Sequence, residues 1–306
     1  MFIETHEYDR FREFCDACRK YRYIGLCYGR PGVGKTLSAR HYANWDKVEA
    51  YNKNNGEGVV GLSEVFGSNV IFYTASVVNS PNRLGKEIRL LRAKLHAFIL
   101  EDLYREKEAR MAEVYRREKA EQDSPLRQGS WYLTDNGAGM RRTEALEQIH
   151  KEFTPRFEER PDPTRLIVVD ETDRLRMASL EQLRAIFDLG GLGVVLIGMP
   201  AIEKRLPRYA QLYSRVGFVH EFRPLAEEEV RGLLGQGWTP PGVALPSNWV
   251  SDEEAVAAIL RTTGGNFRLL ERLLTQIARV LEVNNLRRVT AAVVEVARES
   301  LVTGNT

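Results

Sequence analysis

The chain has 306 residues, of which 43% are hydrophobic and 28% are charged. This composition excludes a disordered or fibrous protein, and the length suggests two domains or one core with an appendage. Basic residues exceed acidic residues by only 44 − 42 = 2. The net charge therefore indicates no polyanionic partner, and any nucleic-acid contact must come from a local patch or from repeated subunits.

Membrane and secreted proteins are excluded next. No window approaches the roughly 18 apolar residues that a transmembrane helix needs, and the acidic first residues do not form a secretory signal. The cysteines, Cys15, Cys18 and Cys27, contain one CxxC spacing without a second pair. This pattern favours reduced thiols over a zinc site. We therefore expect a cytoplasmic protein with no membrane partner.

The first elements in chain order alternate between helix and strand. The periodicity predicts an amphipathic helix over 6–20 and a further helix over 179–188. Apolar runs predict buried strands at 23–29, 70–75, 165–171 and 193–199. Buried strands that alternate with helices predict an α/β fold, in which a parallel sheet is flanked by helices on both faces.

A charged segment over about 101–160 interrupts this alternation, with 12 basic and 14 acidic residues among 60. It predicts a long helix that begins near Gly85, a loop rich in turn residues, and a second helix over 143–158. One interpretation is a solvated helical hairpin inserted into the core. The other is an element that docks a partner or another subunit.

After Pro224 the pattern predicts helices only, over 225–235, 251–263, 266–283 and 290–301. The predicted organisation is therefore an α/β core over 1–224, which contains the charged insertion, and a small all-helical domain over 225–306.

A glycine-rich motif follows the first predicted strand and opens a helix. Its glycines let backbone N–H groups surround a phosphate, and the helix N-terminus adds a favourable dipole. Lys35 would reach the β- and γ-phosphates of ATP, and the hydroxyl of Thr36 would bind Mg²⁺. The predicted nucleotide-binding residues are Gly29, Arg30, Pro31, Gly32, Val33, Gly34, Lys35 and Thr36.

Two acidic residues end the third predicted strand. Asp170 would hold Mg²⁺ directly or through water, and Glu171 would act as general base toward the attacking water. Such a pair could instead cap the following helix. Together with the glycine motif, the pair predicts a Mg²⁺-dependent ATP hydrolase.

Two arginines lie in motifs farther along the chain, Arg215 in QLYSR and Arg268 in GGNFR. A hydrolase that stabilises charge needs a cation near the γ-phosphate, and a neighbouring subunit can supply it. Surface arginines are common, so neither motif by itself is sufficient evidence for this role.

In this order the motifs resemble those of AAA+ ATPases, and within that superfamily the MuB/TnsC/TniB group of DNA-transposition ATPases. The resemblance rests on residues 27–43, 166–175, 194–206, 211–218 and 264–274. It implies an AAA+ P-loop core with a C-terminal helical lid. Arg215 matches the trans-acting arginine finger and Arg268 the second sensor on the lid, so both join Glu171 as candidate catalytic residues.

The resemblance also implies a bacterial or phage protein that assembles with ATP on duplex DNA as a homo-oligomer, either a ring or a helical filament. It would select or mark the target site and recruit or activate a transposase, which would be a partner together with, possibly, a targeting protein. ATP hydrolysis would then disassemble or remodel the complex.

Two departures from the family pattern matter. The first-sensor position at the end of the fourth strand is usually polar, whereas this chain has Met199, and a thioether cannot orient water by donating a hydrogen bond. We therefore expect slow hydrolysis or another polar residue in that role. We also expect no additional N-terminal DNA-binding domain and no C-terminal winged helix.

The candidate DNA contacts follow the second strand and the acidic pair. Backbone contacts of this kind would give little sequence preference and strong salt dependence. An equally good interpretation is that Arg83 and Lys86 only solvate a helix start. The candidates are Thr74, Asn79, Arg83, Lys86, Arg174 and Arg176.

Two other functions stay open. A replication-initiation or helicase-loading ATPase would use the same chemistry. A nucleotide-controlled interaction scaffold without DNA, in secretion or defence, is the alternative from another class, and Met199 gives it some support.

Overall fold

The computed structural model describes residues 2–53, 69–122, 136–246 and 252–301. Its contacts divide the chain into two compact units, one of Met1–Gly85 with Arg165–Thr306 and the other of Lys86–Thr164. Among the described residues, no helix combines the length and apolar character needed to cross a membrane.

The N-terminal part of the first unit begins with helix and strand in alternation. Its elements are α1 (His6–Tyr21), β1 (Ile24–Tyr28), α2 (Lys35–Tyr42), α3 (Trp45–Lys53) and β2 (Val70–Thr74). Helix α4 (Pro81–Ile99) begins in this unit and continues into the second.

The chain returns to the first unit after residue 164. The α/β part continues with β3 (Leu166–Asp170), α7 (Met177–Asp188), β4 (Gly193–Gly198), α8 (Ile202–Arg205), α9 (Ala210–Tyr213) and β5 (Val216–Glu221). Four helices follow: α10 (Glu227–Gly235), α11 (Glu253–Thr263), α12 (Phe267–Val283) and α13 (Ala291–Glu299).

The five strands form one parallel sheet in the order β2-β3-β4-β1-β5. The predicted α/β fold is confirmed, and each of the four predicted strands is present. Strands β3 and β4 are buried along their whole length, which explains their continuous apolar sequence. Strand β5 was not predicted, because it lies at the sheet edge and most of its side chains are partly or fully exposed.

Helix α1 covers part of this sheet through the predicted apolar stripe. The side chains of Phe11, Cys15 and Cys18 are fully buried, and the hydroxyl of Thr5 accepts a hydrogen bond from the backbone N–H of Tyr8, which caps the helix. Burial raises the pKa of Cys18 to about 12. Since zinc binds the thiolate, this burial works against a metal site here.

The C-terminal helices share an apolar core of their own. In α12 the side chains of Leu270, Leu273, Leu274 and Ile277 are all fully buried, at the spacing of one helix face. Asn266 caps this helix by accepting the backbone N–H of Leu269. The contact division keeps these helices in the same unit as the sheet.

The second unit is a helical hairpin with a charged surface. Helices α5 (Glu101–Gln122) and α6 (Asn136–Glu158) pack around a small core that includes Leu103 and Phe153. Arg156 and Glu106 form an ion pair between the two helices, with 2.6 Å between Nη2 and Oε2.

Three boundaries of this unit differ from the prediction. The long helix is interrupted at Leu100, since α4 ends at Ile99 and α5 begins at Glu101. Helix α6 begins at Asn136 instead of residue 143, so part of the predicted loop is helical, and the remainder of that loop lies outside the described residues. The compact unit, Lys86–Thr164, extends beyond the predicted insertion, about 101–160, at both ends.

Candidate functional site

The glycine-rich loop connects β1 to α2, as the motif predicts. Gly32 and Gly34 have φ of +83° and +112°, a region that residues with a side chain rarely adopt. Gly29 has another reason to be glycine, because a Cβ there would lie 2.3 Å from the carbonyl oxygen of Phe222. The loop conformation therefore depends on glycine at these three positions.

Lys35 is the first residue of α2, and its side chain folds back over the loop. Its Nζ donates hydrogen bonds to the carbonyl oxygens of Gly29, at 2.6 Å, and Arg30, at 2.9 Å. Burial lowers the pKa of Lys35, and the nearby carboxylates of Asp170 and Asp173 oppose this shift. The ammonium group is therefore held where a bound phosphate would compete with the loop carbonyls.

The side chain of Thr36 contacts the last residue of β3, Asp170. Its hydroxyl donates a hydrogen bond of 2.7 Å to Oδ2 of Asp170, whose side chain is buried. The other carboxylate oxygen, Oδ1, accepts the backbone N–H of Glu171 at 2.8 Å. Hydroxyl and carboxylate oxygens are the ligands that Mg²⁺ prefers, usually beside substrate phosphates, so Thr36 and Asp170 fit the predicted magnesium site.

Glu171 has an unusual backbone conformation for its residue type. Its φ and ψ are 56° and 39°, in the left-handed region, which costs about 1–3 kcal/mol and is concentrated at functional sites. Its Oε2 lies 3.7 Å from Nη2 of Arg174. The side chain lines the same cleft as Lys35 and Thr36.

The start of α12 closes this cleft from the helical side. The backbone N–H of Arg268 donates to the carbonyl oxygen of Gly32 at 3.0 Å, and the amide of Asn266 donates to the carbonyl oxygen of Pro31 at 2.8 Å. Arg268 lines the cleft. The phosphate loop and the predicted lid helix are therefore directly connected.

Arg215 does not line the cleft of its own chain. Its Nε and Nη2 contact the two carboxylate oxygens of Asp188 at 3.1 Å and 3.2 Å, and its Nη1 donates to the carbonyl oxygen of Gln211 at 2.6 Å. This pair holds the pKa of Asp188 below its usual value. Arg215 and Arg268, the two predicted catalytic arginines, are therefore not part of one cleft within this chain.

The structure brings most of the predicted ATP-site residues together. Pro31, Gly32, Gly34, Lys35, Thr36, Asp170, Glu171 and Arg268 line one cleft. Gly29 and Arg30 act through the carbonyl oxygens that hold Lys35, and Val33 is buried. The roles of these residues in catalysis remain predictions.

Several cleft residues were not predicted from the sequence, because no motif marks them as part of the site. Beside the glycine loop lies a second, more apolar cavity of about 600 Å³. In it Phe2 stacks on His41, with ring centroids 3.8 Å apart. The unpredicted residues of the first cleft are Leu37, Asp173, Gly198, Phe267 and Glu271, and Met199, the residue at the predicted first-sensor position, also lines it. The second cavity is also lined by Ile3, Phe222, Leu225, Trp238 and Pro241.

The candidate DNA contacts form a hydrogen-bonded loop cluster next to the acidic pair. The amide of Asn79 donates to the carbonyl oxygen of Arg174 at 3.0 Å, and Nη1 of Arg174 donates to the carbonyl oxygen of Ala75 at 3.0 Å. Nη1 of Arg83 donates to the carbonyl oxygen of Val78 at 3.3 Å. Asn79 therefore supports the loop structure.

The remaining candidates are exposed residues. Thr74 is the exposed last residue of β2, Arg176 is exposed at the N-cap of α7, and Lys86 is exposed on α4. Arg83, Arg174 and Arg176 keep exposed side chains, so a basic surface is present in the first unit beside the cleft.

Comparison with known proteins gives one family match and two informative relatives. A family model described as an AAA domain matches residues 18–206. A "Potential ATP-binding protein" of Staphylococcus aureus is 39% identical over 306 residues, which cover 99% of this chain and 97% of that protein. The "Mu-like prophage FluMu DNA transposition protein B" of Haemophilus influenzae is 29% identical over 114 residues, 34% of this chain and 36% of that protein.

Solved structures share the fold at low sequence identity. A point mutant of RuvB from Thermotoga maritima aligns with a TM-score of 0.52 and 16% identity, covering 98% of this chain and 70% of that chain. The ORC2 protein of Aeropyrum pernix, in ADPNP–ADP complexes, aligns with a TM-score of 0.50 and 15% identity, covering 100% and 70%. At this identity the likeness concerns the fold alone.

Proposed function

The chain belongs to the AAA domain family, and from this premise we propose that it is a Mg²⁺-dependent ATPase that assembles on duplex DNA and recruits or activates a transposase. Membership of the family makes it an ATP-binding protein and an ATP hydrolase. The Mg²⁺ requirement, the DNA and the transposase belong to the proposal.

The observation that carries the proposal is the convergence of opposite charges in one cleft. Lys35 and Arg268 supply positive charge, and Asp170 and Glu171 supply carboxylates, around a loop whose glycines expose backbone N–H groups. Phosphoryl transfer depends on positioning and on stabilisation of charge on the phosphate oxygens. Lys35 and Arg268 would stabilise that charge, and Glu171 would accept a proton from the attacking water.

Thr36 and Asp170 would hold Mg²⁺ through their oxygens, 2.7 Å apart. The ion, when bound, would neutralise developing charge on the phosphates. The neighbouring apolar cavity would receive the adenine base, because it adjoins the glycine loop at Gly34 and presents flat rings from Phe2 and Trp238. Pockets of this kind combine apolar walls with few polar groups.

Met199 lines the cleft where the family pattern has a polar side chain, so turnover would be slow unless another polar residue takes that role. Assembly would depend on ATP if Arg215 of one subunit reaches the γ-phosphate bound by the next. That contact exists only while the γ-phosphate is present, so hydrolysis would weaken the subunit interface. The absence of Arg215 from the residues that line its own cleft is compatible with this arrangement.

The DNA part of the proposal rests on the exposed arginines beside the cleft and on the partial similarity to the FluMu transposition protein B. The almost neutral net charge of one chain is compatible with it, because a few cations per subunit, repeated in a ring or filament, neutralise many phosphates. A bacterial or phage origin and a location with cytoplasmic DNA belong to the same proposal.

The test is binding of labelled duplex DNA by fluorescence anisotropy, with a slowly hydrolysed ATP analogue and increasing salt. The proposal predicts ATP-dependent binding that weakens strongly with salt. Reversing two charges, Arg83→Glu with Lys86→Glu, should reduce the affinity at least about tenfold. The matched control, Arg261→Glu with Arg272→Glu, makes the same charge change at exposed positions outside the candidate set.

If the Arg83 and Lys86 variant binds DNA like the control, the assignment of this surface is wrong. If the unaltered protein binds no DNA under any nucleotide condition, the scaffold function replaces the proposal. Met199 favours the scaffold in that case, because an apolar residue at the first-sensor position suits slow or absent hydrolysis.

A further inference from the structure

Neither residue at the end of β4 has a polar side chain that could contact the attacking water. Its last residue is Gly198, and Met199, which follows, lines the cleft with Glu171 and Lys35. A general base fixes only one of the two O–H groups of an attacking water. A second acceptor is needed to hold the water in line for attack, and neither Gly198 nor Met199 provides one from its side chain.

Asp173 places a carboxylate at this point. It lies in the short 3₁₀ turn Thr172–Arg174 that follows the acidic pair, and its side chain lines the cleft together with Glu171. Its Oδ2 accepts the backbone N–H of Met199 at 2.6 Å. Its Oδ1 accepts no hydrogen bond from the residues that the structure describes, so this oxygen stays available to a ligand.

Three features position Asp173 beside the end of β4. A Cβ on Gly198 would lie 2.8 Å from Oδ2 of Asp173, so only glycine allows the carboxylate to approach this closely. On the other side, Nη1 of Arg205 donates to the carbonyl oxygen of Asp173 at 3.0 Å. The hydroxyl of Thr172 donates to the carbonyl oxygen of Val169 at 3.0 Å, which anchors the turn to β3.

We propose that Asp173 is the water-positioning residue of this ATPase, and that it replaces the polar side chain missing at Met199. The proposal rests on the proposed ATP hydrolysis. The attacking water donates one hydrogen bond to Glu171 and the other to Oδ1 of Asp173. Its oxygen forms a bond to the γ-phosphorus while the bond to the β–γ bridging oxygen breaks.

The bridging oxygen leaves with the electron pair as part of ADP, and the water proton passes to Glu171. Asp173 keeps its charge throughout, because it only holds the second O–H group. The positive charges of Lys35 and Arg268 in the same cleft offset the additional carboxylate next to the phosphates.

The experiment compares Asp173→Ala, Asp173→Asn and the double variant Asp173→Ala with Met199→Asn. Turnover is measured as phosphate release, affinity with a slowly hydrolysed ATP analogue, and stability as the melting temperature. We expect Asp173→Ala to lower kcat about 100-fold and to change analogue affinity by less than about threefold. In Asp173→Asn the amide oxygen can still accept the Met199 N–H, but the NH2 group that replaces the other oxygen only donates. This variant should therefore keep the melting temperature of the unaltered protein and lose about as much kcat as Asp173→Ala.

The double variant separates positioning of water from support of the fold. If Asp173 positions water, the amide oxygen at position 199 should take over that role. The kcat of the double variant should then be at least about tenfold higher than that of Asp173→Ala. If Asp173 only ties the turn to β4, the loss of the Met199 N–H contact persists and the amide restores nothing. That second result, with a lower melting temperature and weaker analogue binding in Asp173→Ala, would overturn the inference.

Failure of the proposed function gives a different pattern. If the unaltered protein releases no phosphate from ATP above the background without protein, no hydrolysis occurs and the proposed ATPase fails. If the unaltered protein hydrolyses ATP and Asp173→Ala does so equally fast, only the role of Asp173 is wrong.

Discussion

Replacing Gly32 by alanine should destabilise the phosphate loop through two separable effects. The φ of +83° at this position costs about 1–2 kcal/mol for a residue with a side chain. A Cβ would also lie 2.6 Å from Oδ1 of Asn266 and 2.8 Å from Cβ of Arg268, and crowding of this kind costs about 1–3 kcal/mol. Together these effects predict a loss of about 2–5 kcal/mol.

Gly191→Ala is the matched control. Gly191 has φ of +85°, and an added Cβ would meet nothing within 4 Å, so only the backbone cost applies. The free energies of unfolding of the two variants, measured in urea without nucleotide, should differ by the crowding cost alone, about 1–3 kcal/mol. Because relief of the crowding moves the start of α12, Gly32→Ala should also bind an ATP analogue at least about tenfold more weakly, whereas Gly191→Ala should bind normally. Equal stability and equal affinity of the two variants would refute this reasoning.

Three other perturbations test separate parts of the site. Glu171→Gln should leave ATP binding intact and abolish phosphate release, and unchanged turnover would reject its role as general base. Trp238→Ala should weaken ATP binding about tenfold but leave the affinity for inorganic triphosphate unchanged, because its ring lines the cavity proposed for the base; equal losses for both ligands would contradict that cavity. Arg215→Ala should lack turnover that depends on protein concentration, and mixing it with Glu171→Gln should restore part of it, since each variant supplies what the other lacks. No recovery on mixing would count against an arginine acting between subunits.

Much of the fold could be predicted because its central elements depend on local sequence. Strand β3 is an uninterrupted apolar run, since it is buried on both faces, and its carboxyl end delivers Asp170 beside Thr36. The glycine motif identifies its loop because Gly32 and Gly34 need positive φ. Such elements can be recognised from the local sequence alone.

Features that arise only from tertiary packing could not be predicted. Strand β5 exists because its backbone pairs with β1, although its side chains lack a buried apolar pattern. The second cavity combines Phe2 with Trp238 from distant parts of the chain. Asp173 is three residues from Asp170, but its contact with the backbone of Met199 depends on the pairing of β3 with β4.

The sequence has no helix-breaking residue at Leu100, so the interruption of the helix there could not be predicted. Leu100 is buried in the core of the second unit, so packing against neighbouring side chains accounts for its position between α4 and α5. The early start of α6 at Asn136 was missed for the opposite reason, because the turn residues in this stretch favour a loop when local propensity alone is considered.

The central claim is that ATP drives assembly on duplex DNA. Electron microscopy of the purified protein with a slowly hydrolysed ATP analogue, with and without duplex DNA, tests it most directly. Rings or filaments should form only when both ligands are present, and none should form with Lys35→Ala, which lacks the ammonium group beside the phosphate loop. Assembly that is the same with and without DNA, or no assembly at all, would contradict the claim.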